Sequence, residues 1–144
     1  MTPTILRSTA AALAFAGALA FASPSMAAMM TFKANLSGKS EVPANATGGT
    51  GEVTVTYDSD SKKITWKGTY SGLTGPATAA HFHGPAPVGK NAGVMIPIAP
   101  ATSPLEGSAT LNDAQAKALM DGDMYVNVHT AANKGGEIRG QLMK

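Results

Sequence analysis

The three histidines are the residues of this sequence whose type and spacing could carry chemistry. His81 and His83 flank one phenylalanine, and His129 ends the stretch Met124-Tyr-Val-Asn-Val-His129. Residues two apart on a β-strand project from the same face with Cα atoms roughly 6.5 to 7 Å apart, so both imidazoles could bind one metal ion. A third imidazole from a neighbouring strand would complete a three-nitrogen site. Such a site suits Zn²⁺ or Cu²⁺, and the affinity order favours Cu²⁺.

Polar residues on the last two strand candidates are expected around these ligands. Alternation puts Asn127 on the face of His129, and it puts Glu137 and Arg139 on the outward face of the final strand. The loop over residues 131–136 predicts a hairpin, which would bring His129 near Glu137 or Arg139. We therefore expect Asn127, Glu137 and Arg139 to surround and orient the histidines. We also expect Glu137 and Arg139 to form an ion pair.

A simpler interpretation of the histidines stands beside the metal site. Imidazoles on the surface of a sheet can hydrogen-bond to polar neighbours such as Asn127 or Glu137 without binding anything. Only the metal site requires a particular strand order, because His129 comes beside His81 and His83 only if the strands that carry them are neighbours in the sheet. The sequence does not determine that order.

Alternating polar and apolar residues predict an all-β domain. One short helix interrupts the pattern over 112–122, where Asn112 and Gln115 have the spacing of a capping box and Gly122 ends the segment. This composition favours an antiparallel Greek-key sandwich or barrel of about eight strands with one short crossover helix. The predicted strands are 31–37, 51–57, 63–70, 78–83, 94–99, 105–111, 124–130 and 137–142.

Residues 1–27 have the pattern of a secretory signal peptide. A single charge, Arg7, precedes an uncharged run of small and apolar residues over 9–22, and Ser25 and Ala27 are the small residues of a cleavage site. The apolar run is shorter than the ~20 residues that a transmembrane helix needs. We therefore expect an exported protein, periplasmic or secreted, with no membrane span after cleavage.

The composition of the remaining chain limits its function classes. Cleavage after Ala27 would leave 117 of the 144 residues, which suits one domain over residues 28–144. Its ten Lys and Arg residues face nine Asp and Glu residues and are scattered, so no basic patch for nucleic acid is predicted. The sequence has no cysteine, which excludes disulfides and thiolate ligands.

Three stretches of this chain resemble the CHRD domain, first described in chordin and found in bacterial exported proteins. They are Leu36-Ser-Gly-Lys-Ser-Glu-Val-Pro43, Ala80-His-Phe-His-Gly84 and residues 125–142. The resemblance implies one CHRD domain standing alone, with an antiparallel β-sandwich or Greek-key barrel. It does not imply the growth-factor antagonism of chordin, whose additional cysteine-rich modules are absent here. We interpret the tripeptide Glu41-Val-Pro43 as a structural turn.

Three functions follow from these observations. The first is a binding or interaction module that contacts an extracellular or periplasmic protein or surface component. The second is a copper- or zinc-binding protein that uses His81, His83 and His129. The third is an oxidoreductase similar to copper-zinc superoxide dismutases, which also present a His-x-His strand on a Greek-key barrel. This chain lacks the fourth histidine, the zinc cluster and the disulfide of those enzymes, so the third function is disfavoured.

Overall fold

A computed structural model describes residues 27–144 of the chain. Apart from Ala27, the predicted signal peptide lies outside the described residues. Within them no helix is long and apolar enough to cross a membrane. The elements in chain order are β1 (Met29–Ser37), a 3₁₀ turn (Gly38–Ser40), β2 (Thr50–Asp58), β3 (Lys63–Ser71), β4 (Ala77–His83), β5 (Val94–Ile98), β6 (Leu105–Thr110), α1 (Asp113–Asp121), β7 (Tyr125–Thr130) and β8 (Ile138–Gln141).

The eight strands form one antiparallel sheet that curls into a nearly closed barrel. The strand order is β5-β4-β7-β8-β1-β2-β3-β6, and Cα atoms of the end strands β5 and β6 come within 8 Å of each other. The prediction of an all-β fold with about eight strands and one short helix is confirmed. Strand β4 does not pair with β3, which precedes it in the chain, but with β7. This crossover places the two histidine-bearing strands side by side.

The barrel interior is filled by the apolar residues that alternate along the strands. Trp66 and Phe82 meet there edge to face, with ring centroids 5.2 Å apart. Full burial of a Val, Leu, Ile or Phe side chain contributes roughly 1.5–3 kcal/mol, so this core supplies the main favourable term for folding. The largest fully buried apolar side chains are Phe32, Phe82, Ile64, Leu105, Leu119, Met124, Ile138, Leu142, Val53 and Val55.

The helix α1 begins and ends as the sequence predicts. The Asn112 side chain accepts a hydrogen bond from the backbone N–H of Gln115 at 2.8 Å, and the Gln115 side chain accepts one from the backbone N–H of Asn112 at 3.0 Å. This reciprocal capping box satisfies two backbone donors that a helix start would leave unpaired. Gly122 follows with φ of 78°, a left-handed conformation that glycine adopts without a steric penalty.

Two long loops cover the outer face of the β4–β7–β8 part of the sheet. The Asn91 side chain donates to the Val42 carbonyl at 2.9 Å and thereby joins the loop over 84–93 to the loop over 38–49. Asn127, Glu137 and Arg139 point away from the barrel core, as alternation requires, but only 3%, 0% and 2% of their surface is exposed. These residues therefore lie on the outward face of the sheet but beneath the two loops, because period-two alternation does not say what covers a sheet face.

Candidate metal centre

Strand register brings the three histidines around one residue, Asn127. In the pairing of β4 with β7, His81 lies directly opposite Asn127, and His129 lies opposite Ala79. His83 lies opposite Tyr125, two positions along β7 from Asn127. The distance between the two histidine-bearing segments is therefore one strand spacing. The sequence does not determine whether β4 and β7 pair. Their pairing in the structure favours one site that the three histidines share.

The three imidazole rings converge on a common volume. The centroid of His81 lies 5.4 Å from that of His83 and 5.0 Å from that of His129, and the His83 and His129 centroids are 6.2 Å apart. One nitrogen of each ring lies within 4.8 Å of a nitrogen of both others. Nδ1 of His81 donates a hydrogen bond to Nε2 of His129 at 3.1 Å, because the hydrogen of His129 lies on its Nδ1. Two nitrogens at this separation, each ~2.0–2.1 Å from one ion, would subtend about 95–100° there, which suits a cis pair of ligands.

Backbone carbonyls set which ring nitrogen of His83 and His129 is free. Nδ1 of His83 lies 3.1 Å from the Ala92 carbonyl oxygen, and Nδ1 of His129 lies 2.9 Å from that of Lys134. A carbonyl only accepts, so each Nδ1 carries the hydrogen and each Nε2 keeps its lone pair. Metal-binding histidines in proteins are oriented in this way by a hydrogen bond from the other ring nitrogen.

Nε2 of His83 is a buried polar atom without a hydrogen-bond partner. The side chain is 8% exposed, so water does not readily compensate for the missing partner. Burial lowers the pKa of His83 and outweighs the contacts with the Ala92 carbonyl and the Asn127 side chain, which act in the opposite direction. Burial also lowers the pKa of His81, and the charges of His129 and His83 lower it further. Both rings are therefore neutral at pH 7, the form that binds metal ions.

Arg139 fixes the loop that covers His83. The Tyr125 ring stacks on the His83 ring with 3° between their planes, and Cζ of Arg139 lies 3.4 Å from the Tyr125 ring centroid. The Arg139 guanidinium donates to Oδ1 of Asn91 at 3.0 Å and to the Lys90 carbonyl at 2.6 Å. The loop over 84–93 is thereby held where its Ala92 carbonyl can orient His83.

Glu137 is buried among hydroxyl groups and does not pair with Arg139. It accepts hydrogen bonds from the hydroxyls of Thr47, Thr74 and Thr130 and from the Thr74 backbone N–H, at 2.6 to 2.7 Å. Burial alone would raise the pKa of Glu137, but these bonds outweigh it and lower the pKa to about 2. The expected Glu137–Arg139 ion pair is wrong, since the salt bridges of the described residues join other partners.

Glu41 is the residue near the site that sequence reasoning missed. The sequence pattern indicates only a structural turn at Glu41, whereas its side chain is buried between the loop over 38–49 and the sheet. Oε1 of Glu41 and Nδ2 of Asn127 lie 2.3 and 2.6 Å from the position that a Cβ on Gly136 would occupy. Gly136 has φ of +132° and leaves room for both groups. A carboxylate inside a loop of Gly, Pro and Ala was the available signal, but its contact with β7 depends on the tertiary fold.

The fold and this site define a small antiparallel β-barrel with an imidazole cluster on its outer face. A family model of the CHRD domain matches residues 32–142, so the chain belongs to the CHRD domain family. Comparisons with curated proteins and with solved structures gave no significant match.

Proposed function

We propose that this CHRD domain binds one divalent metal ion, Cu²⁺ or Zn²⁺, through His81, His83 and His129. The observation that carries the proposal is the buried, unpartnered Nε2 of His83, on a ring that has a nitrogen within 4.8 Å of a nitrogen of each of the two other histidines. A buried polar atom without a partner costs about 1–3 kcal/mol, and a metal ion would remove that cost by accepting the lone pair. The three rings can provide the lone pairs without moving the strands that carry them, once the hydrogen of His81 shifts from Nδ1 to Nε2.

The donor chemistry selects among metal ions. Imidazole suits Cu²⁺ and Zn²⁺, whereas soft Cu⁺ prefers the thiolates and thioethers of cysteine and methionine. The sequence has no cysteine, and the three proposed donors are all nitrogens. We therefore expect Cu²⁺ to bind more tightly than Zn²⁺, as in the general affinity order of divalent ions.

Calorimetric titration of the untagged protein with Cu²⁺ and with Zn²⁺ tests the site. Binding is expected at micromolar or lower dissociation constant, and His81→Ala, His83→Ala and His129→Ala should each weaken it at least about tenfold. Gln141→Ala is the matched control for loop packing, because Gln141 lies on the same sheet face and donates to the carbonyls of Ala86, in the loop over 84–93, and of Gly122, but to no histidine.

The control should bind metal like the unmodified protein. Absent binding, or binding that none of the three histidine substitutions changes, would contradict the proposal. The three variants also probe the oxidoreductase alternative, since that chemistry would need the same ion.

A role of this domain as an interaction module is our second proposal. The exposed apolar side chains of Val88 and Val94, 74% and 55% exposed, support it because they lie in and beside the loop over 84–93. A partner surface that contacts this loop would lie next to the histidines, so the two functions are compatible. Export through the signal peptide of residues 1–27 is proposed on the sequence pattern alone and would place the domain where periplasmic or extracellular Cu²⁺ and Zn²⁺ can reach it.

A further inference from the structure

The side chain of Asn127 lies at the centre of the histidine cluster, and its oxygen has no partner. Only 3% of the residue is exposed, and Oδ1 is a buried acceptor without a hydrogen bond. His81 lies opposite it across the β4–β7 pair, and His129 follows two residues later on the same strand face. A buried amide oxygen in this position requires an explanation, because buried polar atoms are normally satisfied.

The Glu41 carboxylate explains why the oxygen of Asn127, and not its nitrogen, is left free. Oε1 of Glu41 and Nδ2 of Asn127 lie beside the same point above Gly136. Burial raises the pKa of Glu41, whereas the charge of Arg139 and the hydrogen bond from the Asn127 side chain favour its ionised form. An ionised carboxylate only accepts hydrogen bonds, so this form favours the amide orientation in which the NH₂ group faces it. Oδ1 is then turned to the opposite side.

His83 and Asn127 therefore present two acceptors to the same region. The hydrogen on Nδ1 of His83 is committed to the Ala92 carbonyl, which leaves only a lone pair on Nε2. Nε2 of His83 and Oδ1 of Asn127 are both buried and have no hydrogen bond of normal geometry, although the Asn127 side chain is close enough to His83 to raise its pKa. Two lone pairs cannot satisfy each other, whereas a cation can bind both at once.

We infer that Oδ1 of Asn127 is the fourth donor of the proposed metal site, and that Glu41 is a positioning residue that keeps the amide turned toward the ion. The inference rests on the proposed function and adds an oxygen to its three nitrogens. Four donors match the tetrahedral coordination that Zn²⁺ adopts in closed sites. The rival explanation is a water molecule that donates to Nε2 and Oδ1 without any metal, and it predicts different results below.

Substitutions at Asn127 separate the two explanations in titrations of the full, untagged chain with Zn²⁺. Asn127→Ala removes the donor and should weaken Zn²⁺ binding about 10- to 100-fold. Asn127→Asp keeps an oxygen in place and adds charge, so its affinity should equal or exceed that of the unmodified protein. Gln141→Ala removes a comparable amide from the same sheet face and should leave the affinity unchanged.

A spectroscopic readout distinguishes a donor from a residue that only supports the fold. The visible absorption and electron paramagnetic resonance spectra of the Cu²⁺-loaded protein should change in Asn127→Asp and stay unchanged in Gln141→Ala. Glu41→Gln should weaken binding at least about threefold, because its amide can donate to Oδ1 of Asn127 and turn that oxygen away from the ion. Thermal unfolding of each metal-free variant reports whether it is folded, and Asn127→Asp provides the test if Asn127→Ala is not.

The outcomes separate this inference from the proposed function. If His83→Ala abolishes binding while Asn127→Ala and Asn127→Asp both bind Zn²⁺ with unmodified affinity and unmodified Cu²⁺ spectra, Asn127 is not a ligand and the three histidines hold the ion without it. If the unmodified protein binds no Zn²⁺, the bridging water is correct and the proposed function is wrong as well. If neither the histidine nor the asparagine substitutions affect binding, the metal site itself is wrong. Weakened binding in Asn127→Ala, with Asn127→Asp at or above unmodified affinity, supports the fourth donor.

Discussion

At the scale of single residues, Glu137 is a buried carboxylate held by hydroxyl and amide donors. It has no exposed surface, and its hydrogen bonds come from the loop over 38–49, from Thr74 and from the end of β7. These hydrogen bonds, which Glu137 accepts as a carboxylate, connect three segments of the chain to the residue that precedes β8. Hydrogen bonds to a charged group contribute about 1.5–3 kcal/mol each, which makes this carboxylate a major contact between the loops and the barrel.

The first prediction concerns the pH dependence of this contact. The pKa of Glu137 falls from 4.5 in the unfolded chain to about 2 in the folded protein. A lowered folded-state pKa stabilises the fold above the unfolded value, so Glu137 should contribute about 3 kcal/mol at neutral pH. That contribution should be lost progressively as the pH falls from about 5 to 2. Urea unfolding at a series of pH values measures it.

Glu137→Gln should reduce the loss of stability that the protein shows as the pH falls from about 5 to 2. It should also lower the free energy of unfolding at pH 7 by about 2–3 kcal/mol. Glu106→Gln is the control, since Glu106 is an exposed carboxylate on β6 and should change neither quantity appreciably. If the stability of Glu137→Gln depends on acidic pH as that of the unmodified protein does, the loops are held by other contacts.

At the scale of elements, the loop over 84–93 is attached to the sheet through Arg139. The Arg139 guanidinium stacks on the Tyr125 ring and donates hydrogen bonds to Lys90 and Asn91 of this loop. The same loop carries Ala92, whose carbonyl fixes the orientation of His83. The geometry of one proposed ligand thus depends on a contact two strands away on the same face.

The second prediction follows from this attachment. Arg139→Lys keeps the charge but loses the planar fork that reaches Asn91 and Lys90 together. Amide hydrogen exchange over residues 90–92 should become faster, and Zn²⁺ affinity should fall by about tenfold because His83 loses its fixed orientation. Mass-spectrometric exchange and calorimetry measure the two effects.

Asn112→Ala is the comparison for Arg139→Lys. It removes the helix cap and should cost about 1 kcal/mol of stability, yet it leaves the loop and the metal affinity unchanged. If Arg139→Lys alters stability to a similar extent but neither exchange over residues 90–92 nor affinity, the proposed connection from loop to ligand is wrong.

At the scale of the whole molecule, the proposed ion would connect β4 to β7 at the interior of the strand order. A ligand that binds only the folded state stabilises it by mass action, by about 2.7 kcal/mol at a free concentration 100 times its dissociation constant. For a domain of this size the melting temperature should rise by about 10 °C with Zn²⁺. Calorimetric scans before and after chelation measure the shift.

His83→Ala should remove most of this shift, and Gln141→Ala should retain it. A melting temperature that rises equally in His83→Ala would mean that Zn²⁺ binds elsewhere on the barrel.

Much of the fold could be predicted because its signals are local. Period-two alternation located all eight strands to within a few residues, and the spacing of Asn112, Gln115 and Gly122 located the helix. Alternation and capping each involve residues only a few positions apart, and the local backbone conformation determines which of their side chains share a face or meet at the helix end. Alternation also put His81 and His83 on one face, and the hairpin after β7 put His129 next to Glu137.

The tertiary structure decided what these local signals could not. Whether β4 pairs with β7 depends on contacts between residues almost fifty positions apart, and that pairing brings His129 to His81. Loop coverage is also non-local, which is why Arg139 and Glu137 are buried rather than exposed and why they bind loop atoms rather than each other. The sequence by itself determined a histidine-bearing antiparallel β-domain, because alternation and capping are local. The convergence of the three rings around a buried asparagine came only from the tertiary structure, because strand order and loop packing arise from long-range contacts.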